Sequence, residues 1–151
     1  MMSAATSPFA RRILIVIAVL AAGGTLVSSV SLYHHYGTSA TSYCDIGESF
    51  NCDIVNRSTY STVAGVPVAL IGVAGYLAVL ALTTVFRNRD EAPAMLAIGS
   101  LAGLGFTLYL TYIEGFVLAV WCVLCLSSLI LILSITVLSS LLWVHGVRQV
   151  D

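Results

Sequence analysis

The stretch from residue 93 to 144 constrains the fold most, because it is almost wholly apolar and holds one charged residue, Glu114. A single helix of this length would be far longer than a hydrocarbon core of about 30 Å. The chain must therefore fold back once. Glu114-Gly115 is the predicted turn, since Gly relaxes the backbone and Glu seeks water. Two membrane spans follow, at about 93–113 and 121–144.

Two further apolar runs precede this stretch, at about 13–33 and 63–86. Each is close to the roughly 20 residues that cross a membrane as a helix. A cleaved signal peptide is an alternative interpretation of the first run, but its apolar character continues to Tyr33, beyond the small residues that would mark cleavage. Pro67 is predicted to lie in the first turn of the second span, where its missing N–H is not needed.

Composition supports a membrane protein. The chain is 59% hydrophobic and 9% charged, with a mean hydropathy of +1.01, whereas a soluble domain has about 25% charged residues. Its net charge of −1 argues against nucleic acid as a partner. The predicted fold class is an all-α membrane protein: a four-transmembrane-helix bundle with an extracytoplasmic loop that contains a short half-helix. A single domain over 11–146 is expected, between a disordered N-terminus (1–10) and a short tail (147–151).

The arginines predict the orientation of the four spans. Five lie on one side of the bilayer in this arrangement, and Arg57 alone lies on the other. The five are Arg11, Arg12, Arg87, Arg89 and Arg148. Because basic residues concentrate in cytoplasmic segments, both termini are expected in the cytoplasm of a cell-membrane protein.

The hydrophilic segment 34–62 carries Cys44 and Cys52 on the outer side in this topology. Asn51 is a plausible N-cap for a short helix running on to Tyr60, because its side-chain oxygen accepts free backbone N–H groups. The outer end of the fourth span carries a second cysteine pair, Cys122 and Cys125. Independent arguments therefore place both cysteine pairs on one face of the membrane.

Cys122-Val123-Leu124-Cys125 is a Cys-x-x-Cys motif at a predicted helix N-terminus. Unpaired N–H groups and the helix dipole stabilise a thiolate there, and the thiolate is the species that attacks a disulfide. A structural bridge is a weak alternative for this pair, because so short a loop restricts little chain entropy. For Cys44 and Cys52 a structural bridge remains open.

A metal site is a competing interpretation of the four cysteines, with His34 and His35 as further ligands. Structural zinc sites usually use closely spaced cysteine knuckles, whereas seven residues separate Cys44 from Cys52. No metal is expected.

The pattern predicts an electron relay. Thiols of a protein partner would reduce a Cys44–Cys52 disulfide, a loop thiol would attack Cys122–Cys125, and that pair would reduce a membrane quinone (menaquinone or ubiquinone). The predicted quinone-contacting side chains are Ser58, Phe106, Tyr109, Tyr112 and Phe116, with Ser61 as a further hydrogen-bond donor. Ordinary interfacial aromatics and helix-capping serines are the alternative. Glu114 is interpreted as a solvated turn residue, and His34, His35 and His145 as interfacial side chains.

These residues together resemble the vitamin K epoxide reductase family in its short bacterial form. The resemblance is carried by several features in order along about 11–144: Cys44 and Cys52, Ser58, Gly65-Val66-Pro67, Gly72 and Tyr76, Tyr109-Leu110-Thr111-Tyr112, and the Cys-x-x-Cys. It implies a four-helix bundle around a quinone, with Cys44 meeting the partner, Cys52 exchanging with Cys122 and Cys125 against the quinone ring. It also implies a thioredoxin-fold partner outside the cytoplasm, expected as a separate protein because the sequence ends at Asp151.

Two departures separate this sequence from the animal enzymes of the family. Those enzymes have an asparagine and a tyrosine near the quinone headgroup, where this chain has Val68 and Leu129. The departures favour quinone reduction over vitamin K epoxide reduction, which stays an alternative. An alternative from another class is a four-span scaffold or transporter whose cysteines form only structural disulfides.

Overall fold

A computed structural model describes residues 7–37, 44 and 46–148 of the chain, and these residues are mostly helical. Between its helices the chain forms a short 3₁₀ turn (Thr59–Ser61), a two-stranded antiparallel hairpin (β1, Thr62–Val63; β2, Val66–Pro67) and a π-helical turn (Glu114–Leu118). The α-helices are α1 (Pro8–Tyr36), α2 (Cys52–Asn56), α3 (Val68–Thr84), α4 (Ala92–Ile113) and α5 (Val123–Arg148).

Three of these helices are long and apolar enough to cross a membrane: α1, α5, and α4 together with its π-helical turn. The fourth apolar helix, α3, is shorter than the predicted span 63–86, because residues 62–67 pair as the hairpin instead. Ala64 and Gly65 make the hairpin turn with positive φ angles of 53° and 82°. Pro67 therefore ends β2 and precedes α3, rather than lying in its first turn.

The first helix begins earlier than predicted. Ser7 caps it by accepting a hydrogen bond from the Ala10 N–H at 3.1 Å, and Pro8 follows at the first helical position, which proline favours. Part of the segment expected to be disordered is thus helical, while residues 1–6 lie outside the described residues. At the other end of the chain α5 runs to Arg148, four residues past the predicted span.

The predicted turn at Glu114-Gly115 is wrong. The chain stays helical to Leu118 and reverses at Ala119, whose φ of 52° lies in the left-handed region. Gly115 permits the close packing of the Trp121 indole, since a Cβ there would lie 2.9 Å from the ring. Glu114 is 2% exposed, so it is a buried residue and not a solvated one.

The apolar core lies where α1 packs against α3 and α5, and where α4 packs against α5. Small residues allow these close contacts: Gly24 faces the Tyr76 ring, and Gly72 faces Ser28. The Tyr76 hydroxyl donates to the Ser128 carbonyl at 3.0 Å and so connects α3 with α5. Of the two glycines predicted as a packing face on α4, Gly103 approaches Ile132, while a Cβ at Gly99 would meet open space.

Candidate active site

Backbone pairing fixes the cysteine loop to the start of α5. The Asn51 N–H donates to the Trp121 carbonyl at 3.1 Å, and the Trp121 N–H donates to the Ser49 carbonyl at 2.9 Å. Phe50 and Trp121 thereby form an isolated parallel bridge. Because Cys52 and Cys122 each follow directly after this bridge, the pairing brings one cysteine of each pair together.

The four predicted cysteines gather in one buried cluster. Cys44 and Cys52 form a disulfide with a Cα–Cα distance of 5.6 Å, whereas Cys122 and Cys125 are thiols. The Cys122 Sγ lies 3.4 Å from the Cys52 Sγ. Apolar side chains, including Val55 and Leu118, surround the sulfurs. Cys44 is 2% exposed, so its sulfur does not lie open to solvent as the loop position alone suggested.

Cys122 occupies the N-cap position of α5, where its carbonyl accepts from the Leu126 N–H at 3.0 Å. A hydrogen bond from the Cys125 thiol is the main cause that lowers the pKa of the Cys122 thiol below its usual value. The backbone N–H groups of Cys125 and Leu124 also lower this pKa, while burial and the Glu114 carboxyl act against them. This lowering favours the thiolate form of Cys122, which is the nucleophile in thiol–disulfide exchange.

The short helix α2 is held in place by side chains at both of its ends. The Asn51 side chain accepts from the Ile54 N–H at 3.0 Å, which confirms the predicted N-cap. At the other end, the Asn56 side-chain oxygen accepts from the Ser31 hydroxyl at 2.7 Å, and the Asn56 carbonyl lies 2.6 Å from the His35 Nδ1. These contacts fix α2 against the C-terminal end of α1.

The histidines near the loop are structural parts of this arrangement. His34 is 2% exposed, and its Nδ1 lies 3.4 Å from an Asp53 carboxylate oxygen. The prediction that His34 is an interfacial side chain is therefore wrong, because the close approach of α2 covers it. His35 contacts Asn56 as described, and His145 stacks obliquely on Phe9 at the far end of the molecule.

A cavity of about 220 Å³ opens beside Cys125, among α1, α3, α4 and α5. Its walls are mostly apolar, and two of the residues predicted to contact a quinone, Ser58 and Phe106, lie on them. The Ser58 hydroxyl donates to the Val55 carbonyl at 2.8 Å, and the Ser61 hydroxyl donates to the Ser58 carbonyl at 2.7 Å. Both serines thus also stabilise the turn after α2, which was the alternative interpretation of them.

The three other predicted aromatics lie away from this cavity. Tyr109, Tyr112 and Phe116 are 57%, 59% and 78% exposed, and none of them lines the cavity wall. Tyr112 and Phe116 stack on each other with ring centroids 4.9 Å apart. They share a helix face, as the spacing indicated, but this face points outward from the bundle.

Glu114 is the site residue that the sequence interpretation missed. Its Oε2 accepts a hydrogen bond from the Cys122 N–H at 3.2 Å, and its side chain lines the same cavity as Cys125. The signal was present, because a lone carboxylate inside a long apolar stretch is commonly functional in membrane proteins. It was overlooked since the same residue also suited a solvated turn.

Among residues 7–37, 44 and 46–148, no three histidine, cysteine or acidic side chains come together as a metal-binding group.

Comparison with protein families agrees with this geometry. The sequence matches the Vitamin K epoxide reductase family over residues 15–140 of 151, a region that includes all four cysteines, Glu114 and the cavity. A match over most of the chain, with a buried disulfide and dithiol in contact, identifies this protein as a member of the vitamin K epoxide reductase family.

Proposed function

We propose that this protein carries electrons from thiols outside the cytoplasm to a membrane quinone, and so supports disulfide formation in extracytoplasmic proteins. Its family is one of membrane oxidoreductases, which establishes a redox enzyme in general terms. The observation that carries the specific proposal is the 3.4 Å contact between the Cys52 and Cys122 sulfurs. Such a contact suits thiol–disulfide exchange between the two pairs.

The exchange begins with Cys44 and Cys52 (the loop pair) as thiols and with Cys122 and Cys125 (the inner pair) joined as a disulfide. The Cys52 thiolate attacks the Cys122 sulfur, which forms a Cys52–Cys122 bond, breaks Cys122–Cys125 and releases the Cys125 thiolate. Cys44 then attacks Cys52, which restores the loop disulfide and releases Cys122. Two electrons have moved inward, and the product is the arrangement seen here: a loop disulfide beside an inner dithiol.

The electron donor we propose is a separate thioredoxin-fold protein whose thiol attacks Cys44. Because Cys44 is 2% exposed, this attack requires the sulfur to become accessible when the partner docks. Cys52 is fully buried and its Sγ already contacts Cys122. Cys44 is therefore the loop cysteine that we assign to the reaction with the partner.

The cavity beside Cys125 suits a quinone headgroup, a flat apolar ring with polar oxygens. Its walls are mostly apolar, with Phe106 among the aromatic residues and Ser58 among the hydroxyl groups. Such a site matches the general form of small-molecule pockets. A bound quinone would supply the capacity to accept two electrons and two protons. Tyr109, Tyr112 and Phe116 remain untested as quinone contacts, but their outward positions do not support that role.

We propose that all four apolar helices cross the bilayer, with both termini in the cytoplasm. The 17 residues of α3 extend about 25 Å, somewhat less than a hydrocarbon core. The hairpin that precedes α3 and the polar turn that follows it would lie in the headgroup regions. The excess of arginines at the opposite end from the cysteines supports this orientation.

Trapping a disulfide between Cys52 and Cys122 tests the proposed electron transfer between the two cysteine pairs directly. In a Cys125→Ala variant, the Cys122 thiolate can attack Cys52 and release Cys44, but no second inner thiol resolves the Cys52–Cys122 bond. We expect peptide mass spectrometry to find this crosslink, with Cys44 alkylated, and we expect the purified variant to lose dithiol-dependent quinone reduction. A double variant that also carries Cys122→Ala is the control and should show the Cys44–Cys52 bridge alone.

Two results would overturn the proposal. One is full quinone reduction by Cys125→Ala, as expected of a scaffold whose cysteines are only structural. The other is a native protein that reduces a quinone epoxide but not a quinone with the same dithiol, as expected of an epoxide reductase.

A further inference from the structure

We propose that Glu114 is the proton carrier of the inner cysteine pair: it takes the proton of the Cys125 thiol and passes it into the adjoining cavity. This inference rests on the proposed function and adds a catalytic residue to it. Glu114 lies beside the dithiol, since its Oε2 accepts the Cys122 N–H at 3.2 Å and its side chain lines the same cavity as Cys125.

The location of Glu114 joins the dithiol to the cavity. It lies in the π-helical turn after α4, and π-helical turns frequently mark functional sites. It is 2% exposed, yet it lines the same cavity as Cys125. One side chain thus reaches both the sulfur that loses a proton and the space that an electron acceptor would occupy.

A structural role alone does not account for an acid at this position. The Oε2 of Glu114 accepts the Cys122 N–H at 3.2 Å, and a glutamine oxygen could accept the same bond. Burying a carboxylate costs several kcal/mol unless a cation compensates, and the hydrogen bond described for the Glu114 carboxyl is to the uncharged Cys122 N–H. What the carboxyl offers beyond the amide is the ability to bind and release a proton.

The step conserves protons and electrons. The Glu114 carboxylate takes the Cys125 proton and becomes a carboxylic acid. Cys122, which reacts as its thiolate, forms the Cys122–Cys125 bond, and the two electrons of the dithiol pass to a quinone. Glu114 gives its proton to an oxygen of that quinone and returns to the carboxylate, while the second proton comes from water and replaces the one that Cys122 released.

Glu114→Gln tests this role in the full-length protein, because the amide keeps the shape and the hydrogen-bond acceptor. We expect oxidation of the reduced inner pair by a soluble quinone analogue, measured in a single turnover, to slow about 100-fold, as is typical when a general base is lost. Glu91→Gln is the matched control, since Glu91 is exposed at the opposite end of α4, and it should react like the native protein.

Infrared spectroscopy supplies a readout that needs no quinone. When the reduced protein is oxidised with diamide, the difference spectrum should gain the C=O stretch of a protonated carboxylic acid and lose a thiol S–H stretch. In Glu114→Gln the acid band should be absent while the S–H loss remains. Glu91→Gln should keep both.

The outcomes separate this inference from the function on which it rests. Native turnover by Glu114→Gln, or an acid band that survives in that variant, would overturn the role of Glu114 and leave the relay intact. Trapping of Cys52–Cys122 by Glu114→Gln in the Cys125→Ala background should match the parent. A failure to trap in this variant alone would overturn the inference by showing that Glu114 acts only through the position of Cys122.

Discussion

The two cysteine pairs differ in what holds them. Cys44 lies in the loop before α2, and Cys52 starts this five-residue helix, which depends on side-chain hydrogen bonds to α1 and on backbone bonds to Trp121. Cys122 and Cys125 lie at the start of a 26-residue helix packed in the core. The first pair is built on a small docked element and the second on a rigid one. This difference fits the proposed electron transfer, in which Cys44 and Cys52 must become accessible to a protein while Cys122 and Cys125 keep a fixed geometry.

The Cys44→Ser substitution should separate the roles of the two cysteine pairs with the largest effect. If Cys44 is the sulfur that the proposed partner attacks, we expect oxidation of a thioredoxin-fold protein by the variant to fall at least about 100-fold, the scale of losing a catalytic group. A small dithiol should still reduce the inner pair, because it can reach Cys122–Cys125 without the loop. Initial rates with the two reductants measure this. Equal losses with both would contradict the assignment of Cys44 as the partner-facing residue.

The pH dependence of the inner pair gives the next largest effect. Because a hydrogen bond from Cys125 lowers the pKa of the Cys122 thiol, trapping of Cys52–Cys122 in a Cys125→Ser variant, whose hydroxyl keeps a donor, should persist at pH values where an ordinary thiol is protonated. Trapping should fail only as the pH falls below the lowered pKa. Cys125→Ser keeps an O–H donor and Cys125→Ala does not, so the midpoint pH of the trapping rate should be higher in the alanine variant. Identical midpoints would rule out this hydrogen bond as the main cause.

Removal of the Asn51 cap is expected to have the smallest effect. Loss of an N-cap costs about 1 kcal/mol, so Asn51→Ala should slow trapping of Cys52–Cys122 severalfold by loosening α2. Ser7→Ala removes the same kind of cap from α1, far from the cysteines. That control should lower the thermal unfolding temperature slightly and leave the trapping rate unchanged. Equal trapping rates in both variants would show that the Asn51 cap does not help to hold Cys52 against Cys122.

Local chemistry explains why parts of the site were predictable. The Cys-x-x-Cys at a helix start, the Asn51 cap and the apolar runs depend on neighbouring residues, and all three are found in the structure. The boundaries of α3 were not predictable in this way. Residues 62–67 form a hairpin because Ala64 and Gly65 adopt positive φ angles, and apolarity alone does not reveal such a turn.

The positions of the aromatic residues and of Glu114 depended on packing between helices. Tyr109, Tyr112 and Phe116 share one face by spacing, but the rotation of α4 against α5 directs that face outward. The same rotation, with the π-helical turn, directs Glu114 inward to Cys122 and Cys125. Helical spacing gives relative positions on one helix, whereas the direction of a face depends on the neighbouring helices.

The sequence by itself determined that this chain is an apolar, helical membrane protein with two cysteine pairs, because composition and spacing limit where such a chain is stable. Only the tertiary structure decided that Cys52 faces Cys122, that Cys44 is covered and that a carboxyl is buried beside the dithiol. The reason is distance along the chain: Cys52 and Cys122 are 70 residues apart, and their contact depends on a backbone bridge to Trp121 that no local pattern specifies.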